Sequence, residues 1–123
     1  MSGQSILVAD DDPDIRDLVA LKLTGAGYLV HTAVDGTEAL ATLISTHVDL
    51  ALIDVMMPGL SGIDVVREAR ARDRLAAVPL VLLTAKAQES DVERGFAVGA
   101  TDYVTKPFSP RVLLARVRAI LDR

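Results

Sequence analysis

Five polar side chains stand at or just past the ends of short aliphatic runs in this chain of 123 residues: Asp10 and Asp11, Asp54, Thr84 and Lys106. If those runs are neighbouring parallel strands, three carboxylates, a hydroxyl and an ammonium converge on one sheet edge. Two carboxylates about 5 Å apart repel by roughly 3 kcal/mol at an effective dielectric of about 20, so three ionised together need a compensating cation. Lys106 supplies one charge, and a divalent metal would supply the rest. All-oxygen ligands, with no His or Cys nearby in sequence, point to magnesium or manganese rather than zinc. Magnesium takes one or two carboxylates and keeps waters, which leaves room for a phosphoryl oxygen. Carboxylate, cation, ammonium and hydroxyl together form a constellation for phosphoryl transfer. Asp54, central among the acids by chain position, is the candidate nucleophile.

These groups can meet only if the elements carrying them lie side by side. Strand-like and helix-like segments alternate five times. Ser5 to Ala9 is a short aliphatic run, followed by Asp12 as helix N-cap and Pro13 at the first helical position. The helix places Ile15, Leu18 and Val19 on one face and stops near Gly25 and Gly27. Tyr28 to Ala33 reads as a second strand, Asp35-Gly36 opens a helix with Leu40, Leu43 and Ile44 at core spacing, and Val48 to Ile53 is a third strand. Pro58, Gly59 and Gly62 mark a loop before a helix through Val65, Val66 and Ala69. Pro79 to Leu83 is a fourth strand, then a helix runs from about Glu89 to Val98 and is capped by Gly99. Asp102 to Thr105 is the fifth strand, and Ser109-Pro110 opens a last helix with Leu113, Val117, Ile120 and Leu121 on one side. Strict alternation predicts an α/β fold, a doubly wound parallel sheet with helices on both faces. Such sheets bind ligands beyond the carboxyl ends of their strands, where all five polar groups fall.

Half of the residues are apolar but only 3% are aromatic, as suits an aliphatic sheet buried on both faces. The length predicts one domain, residues 1–123, with no effector domain. A net charge of −4 argues against direct binding of nucleic acid, which needs a clustered basic patch. The absence of cysteine excludes a disulfide framework and suits a cytoplasmic setting. Neither a leader nor an apolar run of membrane-spanning length is found, so no membrane association is expected.

The segments ILVADDDPDIR, DLALIDVMMPGLSGIDVVRE, PLVLLTAKA and GATDYVTKPFSP resemble the receiver domain of two-component response regulators, over essentially the whole chain. The ending KPFSPRVLLARVRAIL is similar to receivers of winged-helix transcription factors. The resemblance implies a flavodoxin-like sheet of five strands in the order 2-1-3-4-5 with five helices. It also implies that Asp54 accepts a phosphoryl group from a histidine kinase or histidine phosphotransfer protein. By position, Asp11 and Asp54 resemble direct magnesium ligands, Asp10 a ligand through water, and Met56 the donor of a backbone carbonyl; manganese is expected to substitute on the all-oxygen donor set. Thr84 and Lys106 resemble the groups that bond phosphoryl oxygens, and Tyr103 the aromatic switch coupled to Thr84. Lys106-Pro107 is expected to be cis. The implied output is a change in the face formed by the fourth helix, fifth strand and fifth helix, read by a downstream effector domain or protein.

Plainer roles compete at several positions. Asp12 is a helix cap, His31 and His47 lack metal-like spacing, and Lys86 and Arg94 are solvated helix charges. The subclass dimer face pairs a basic residue with an acidic one where this chain has Val92 and Val112, so at most a weak homodimer is expected. The bulk of Met56 and Lys86 predicts slow autodephosphorylation, and the chain is expected not to be a turnover enzyme. The rival reading is a haloacid-dehalogenase-like, magnesium-dependent phosphohydrolase. It would want a second Asp where Met56 stands. A flavin- or nucleotide-binding module would want a small-residue phosphate loop where the three acids lie.

Overall fold

Asp12 and Pro13 open the first helix as their chemistry dictates. The Asp12 carboxylate accepts the N–H groups of Asp14 (2.9 Å) and Ile15 (3.4 Å), while Pro13 has no N–H to leave unpaired. The computed structural model describes residues 3–85 and 89–122. In chain order it contains β1 (Ser5–Ala9), α1 (Pro13–Gly25), β2 (Leu29–Ala33), α2 (Gly36–Ser45) and β3 (Leu50–Asp54). Next come α3 (Gly62–Arg70), a 3-10 turn (Asp73–Leu75), β4 (Leu80–Ala85), α4 (Glu89–Val98), β5 (Asp102–Lys106) and α5 (Pro110–Leu121). Asp35, Ser61 and Ser109 cap α2, α3 and α5 through their side chains, and Ser61 with Asp64 completes a reciprocal capping box.

The strands form one parallel sheet in the order β2-β1-β3-β4-β5. One face packs Leu7, Ile53, Leu80 and Leu82 against Leu43 of α2 and Val65, Val66 and Ala69 of α3. The other packs Val8, Leu52, Leu83 and Val104 against Val19 and Leu23 of α1 and Leu113 and Val117 of α5. β1, β3 and most of β4 are buried on both faces, which explains their continuous aliphatic runs.

Four strands differ in their boundaries from the sequence reading: β2 begins at Leu29 and β5 extends to Lys106. β3 begins at Leu50 and includes Asp54, and β4 continues through Thr84 to Ala85. The ladder persists because a polar side chain does not interrupt backbone pairing: Asp54 stands opposite Leu83, and Ala85 opposite Lys106. Leu18 and Ile44, expected on core faces, are largely exposed, and Leu23 and Ala39 take the buried positions. The sheet contacts a narrower stripe of each helix than the apolar spacing suggested. Leu18 instead lines a shallow apolar groove of about 300 Å³ with Ile15, Val19, Pro107 and Phe108.

The end of α4 shows why glycine follows it. Gly99 has φ 112°, a region that side chains disfavour, and this turn lets the N–H of Ala100 reach the carbonyl of Gly95 at 2.9 Å.

Candidate functional site

Period-two alternation decides which polar groups leave the sheet together. Asp10, Asp54 and Lys106 follow Val8, Leu52 and Val104, all buried under α1 and α5, so the three emerge in one phase. Asp10 is fully buried and Asp54 is 6% exposed. The Lys106 ammonium lies 2.8 Å from one oxygen of Asp10 and 3.4 Å from one of Asp54, bridging the two acids. Asp11, exposed on the turn into α1, completes the cluster. Ligand oxygens of Asp10, Asp11 and Asp54 all lie within 4.8 Å of one another. Three hard oxygen donors at that separation, two of them shielded from water, fit a small divalent cation such as magnesium.

The electrostatics record the crowding. Burial, reinforced by the neighbouring Asp10 carboxylate, pushes Asp54 up to about 6, against the pull of Lys106 and of the Met56 N–H. Burial draws Lys106 down, but its hydrogen bond to Asp10 and the charges of Asp54 and Asp10 outweigh this and hold the ammonium above the usual lysine value. The site thus retains a full positive charge beside more negative charge than it can balance.

Thr84, Tyr103 and Met56 are the other site residues singled out from the sequence. Thr84 is buried, and among the described residues its hydroxyl makes only a long contact of 3.4 Å with the Ala85 carbonyl. It follows Leu82 and therefore leaves toward the opposite face, in phase with Tyr103. Tyr103 pairs with Leu82 and not with Thr84, whose partner is Thr105. The expected matching positions are therefore on one face but two residues out of step. Tyr103 is partly exposed and meets Phe96 of α4 edge-on, ring centroids 5.7 Å apart. The Met56 N–H reaches Asp54 at 3.3 Å, and its side chain is 62% exposed beside the site. The Lys106-Pro107 bond is cis. Lys86 lies outside the described residues. On the α4, β5 and α5 side, Val112 is exposed and Arg116 pairs with Asp102 at 2.9 Å. Thr101 turns inward, where its hydroxyl accepts from Arg70 and from the Leu80 N–H.

Two residues beside these acids are not among the candidates named from the sequence, where Gly62 marks only a loop and Arg16 has no role. Gly62 opens α3 directly behind Asp54, where a Cβ would strike the Asp54 carbonyl and sit 2.9 Å from the Val55 Cα. Arg16 donates to the Asp10 carbonyl at 3.0 Å. Helical side chains lean toward the N-terminus, so a long cation one turn past the Asp12 cap is aimed at the end of β1, and that spacing was the available signal.

A family model described as the response regulator receiver domain matches residues 6–118. The chain belongs to the response regulator receiver family. The receiver is 42% identical over 123 residues to the phosphate regulon transcriptional regulatory protein PhoB of Pseudomonas aeruginosa, covering all of this chain and 54% of that protein. It is 47% identical over 120 residues to the DNA-binding response regulator MtrA of Mycolicibacterium smegmatis, covering 98% of the chain and 51% of that protein. The receiver therefore spans about half the length of these curated relatives. Among solved structures, it is similar to the chemotaxis response regulator CheY4 of Vibrio cholerae, with a TM-score of 0.90 at 36% identity, covering 95% of this chain and 98% of that one. It is also similar to the receiver domain of the sensor histidine kinase PA1611 of Pseudomonas aeruginosa, solved with magnesium in its active-site cleft. That likeness has a TM-score of 0.91 at 31% identity and covers 99% of this chain and 100% of that one. The receiver is thus a signalling domain of two-component systems with the flavodoxin-like sheet order. The phosphohydrolase reading finds no support among these relatives. Among the described residues, no helix is long and apolar enough to cross a membrane.

Proposed function

We propose that the receiver takes a phosphoryl group onto Asp54 from a phosphorylated histidine of a kinase or phosphotransfer protein, in a magnesium-dependent reaction. The observation that carries this reading is the convergence of Asp10, Asp11 and Asp54, with Lys106 bridging the two buried acids. Asp11 and Asp54 would hold the cation directly, Asp10 through water, and Met56 through its carbonyl; manganese, equally suited to oxygen donors, can substitute. Bound there, magnesium supplies charge neutralisation for the transferring phosphoryl oxygens. An Asp54 carboxylate oxygen attacks phosphorus as the P–N bond to the donor imidazole breaks. The bonding electrons stay with that nitrogen, which takes up a proton. Lys106 and Thr84 then bond oxygens of the acyl phosphate.

Incubation with magnesium and acetyl phosphate, followed by intact mass, should reveal one phosphoryl adduct that is absent from Asp54→Asn. Continuous phosphate release without an adduct would instead support a turnover enzyme. The adduct is expected to be slowly lost, because the bulky Met56 side chain stands beside the site and hinders an attacking water.

The output is a change in the α4, β5 and α5 surface, addressed to an effector domain or protein and not to nucleic acid directly. The loosely bonded Thr84 hydroxyl can retarget to the new anion, vacating space on the face it shares with Tyr103. Thr84→Ala should still form the adduct but lose the phosphorylation-linked NMR shifts of Tyr103 and Phe96. Unchanged shifts would reject the coupling. Exposed Val112 in place of a charge supports at most a weak homodimer through this surface. A cytoplasmic location follows from the proposed kinase partner.

A further inference from the structure

Every polar group of the buried Asp10 has a partner. Its N–H donates to the Ala33 carbonyl at 3.2 Å. One carboxylate oxygen accepts the Asp12 N–H at 3.0 Å, and the other accepts Lys106 at 2.8 Å. The carbonyl lies past the last β1 residue, at the point where the chain leaves the sheet, and it accepts Nη1 of Arg16 at 3.0 Å. That carbonyl belongs to the peptide unit joining Asp10 to Asp11. Because the unit is planar, a rotation of the carbonyl carries the Asp11 N–H and Cα with it, and the Asp11 carboxylate moves relative to Asp54.

We infer that Arg16 is a positioning residue for the cation site: by holding the Asp10 carbonyl, it fixes the peptide plane that sets Asp11 against Asp10 and Asp54. This inference rests on the magnesium reading above. It has a sign that separates it from simple electrostatics. The guanidinium charge by itself repels a divalent cation, so an Arg16 acting only as a charge would weaken binding, and its removal would tighten it. An Arg16 acting through the peptide plane does the reverse. Arg16 is half-buried on α1 and makes no hydrogen bond to Asp11 or Asp54, so its effect must pass through the backbone.

The test is a calorimetric magnesium titration at fixed ionic strength of the unmodified chain, Arg16→Gln and Arg16→Lys, with metal-free NMR shifts of the Asp11 and Asp12 amides. Arg16→Gln should raise the magnesium dissociation constant about tenfold, as loss of an outer partner of a metal ligand typically does, and should shift both amides before metal is added. Arg16→Lys should fall between, since an ammonium can reach a carbonyl but lacks the rigid planar fork. Equal or tighter binding by Arg16→Gln overturns the inference. If Arg16→Gln does not fold, an unchanged dissociation constant in Arg16→Lys overturns it equally. Absence of magnesium binding by the unmodified chain would overturn the proposed function as well, whereas normal binding there with no effect of the variants sinks only the role of Arg16.

Discussion

Lys106→Met lowers the metal-free stability of the receiver by about 2 kcal/mol in urea unfolding, and magnesium restores part of the loss. The ammonium touches Asp10 at 2.8 Å and Asp54 at 3.4 Å, and both acids are at least nine-tenths buried. Removing one partner of a fully buried ion pair typically costs about 3–5 kcal/mol, and the fifth of Lys106 that remains exposed argues for the smaller figure. A bound divalent cation takes over the countercharge and favours the folded state by mass action. The opposite change isolates the cause. Asp54→Asn removes one of the crowded charges and should raise metal-free stability by about 1–2 kcal/mol at neutral pH. The sign follows from linkage. The folded carboxyl titrates at about 6 and the ordinary carboxyl at 3.8, so the folded state holds the Asp54 proton more tightly. The Asp54 contribution is fully favourable below the lower value and is lost as pH rises through the upper one. The advantage of Asp54→Asn should therefore grow between these two values and level off above them. A destabilised Asp54→Asn, or a Lys106→Met variant of unchanged stability, would show that the cluster is not electrostatically strained.

Gly62→Ala should cost about 3 kcal/mol or more, and it should impair phosphorylation even where the variant remains folded. The added Cβ points at backbone, the Asp54 carbonyl and the Val55 Cα, and not at the movable tip of a side chain. Backbone cannot yield locally, because Asp54 is held in the ladder opposite Leu83 and Val55 donates to the Leu83 carbonyl at 2.9 Å. Overpacking at a rigid contact exceeds the usual penalty for an added methyl. α3 must therefore retreat, dragging the loop that carries Met56 away from Asp54. Thermal unfolding together with the acetyl phosphate assay checks both parts. A Gly62→Ala variant with unaltered midpoint and adduct yield would mean that the α3 start is free to move.

Local chemistry carries the fold a certain distance. The caps Asp12, Asp35 and Ser109 were readable because each is a short-range hydrogen bond between neighbours. The aliphatic runs of β1, β3 and β4 announced a sheet covered on both faces, and alternation required parallel crossovers. The candidate acids, Thr84 and Lys106 could be named because strand ends of such a sheet share one edge. The burial of Leu23 in place of Leu18 was not readable, since apolar spacing defines a helix face but not how much of it a neighbour covers.

Residue types and their order along the chain thus determined which elements form, that they alternate, and which polar groups reach the functional edge. Only the tertiary structure decided that Asp10, Asp54 and Lys106 leave the sheet in one phase while Thr84 leaves in the other, that Tyr103 sits two residues out of step with Thr84, and that Arg16 reaches the Asp10 carbonyl while Gly62 lies against the Asp54 backbone. The physical reason is register: hydrogen bonding between strands distant in sequence sets alignment to the residue, and a shift of one residue would turn every side chain to the other face.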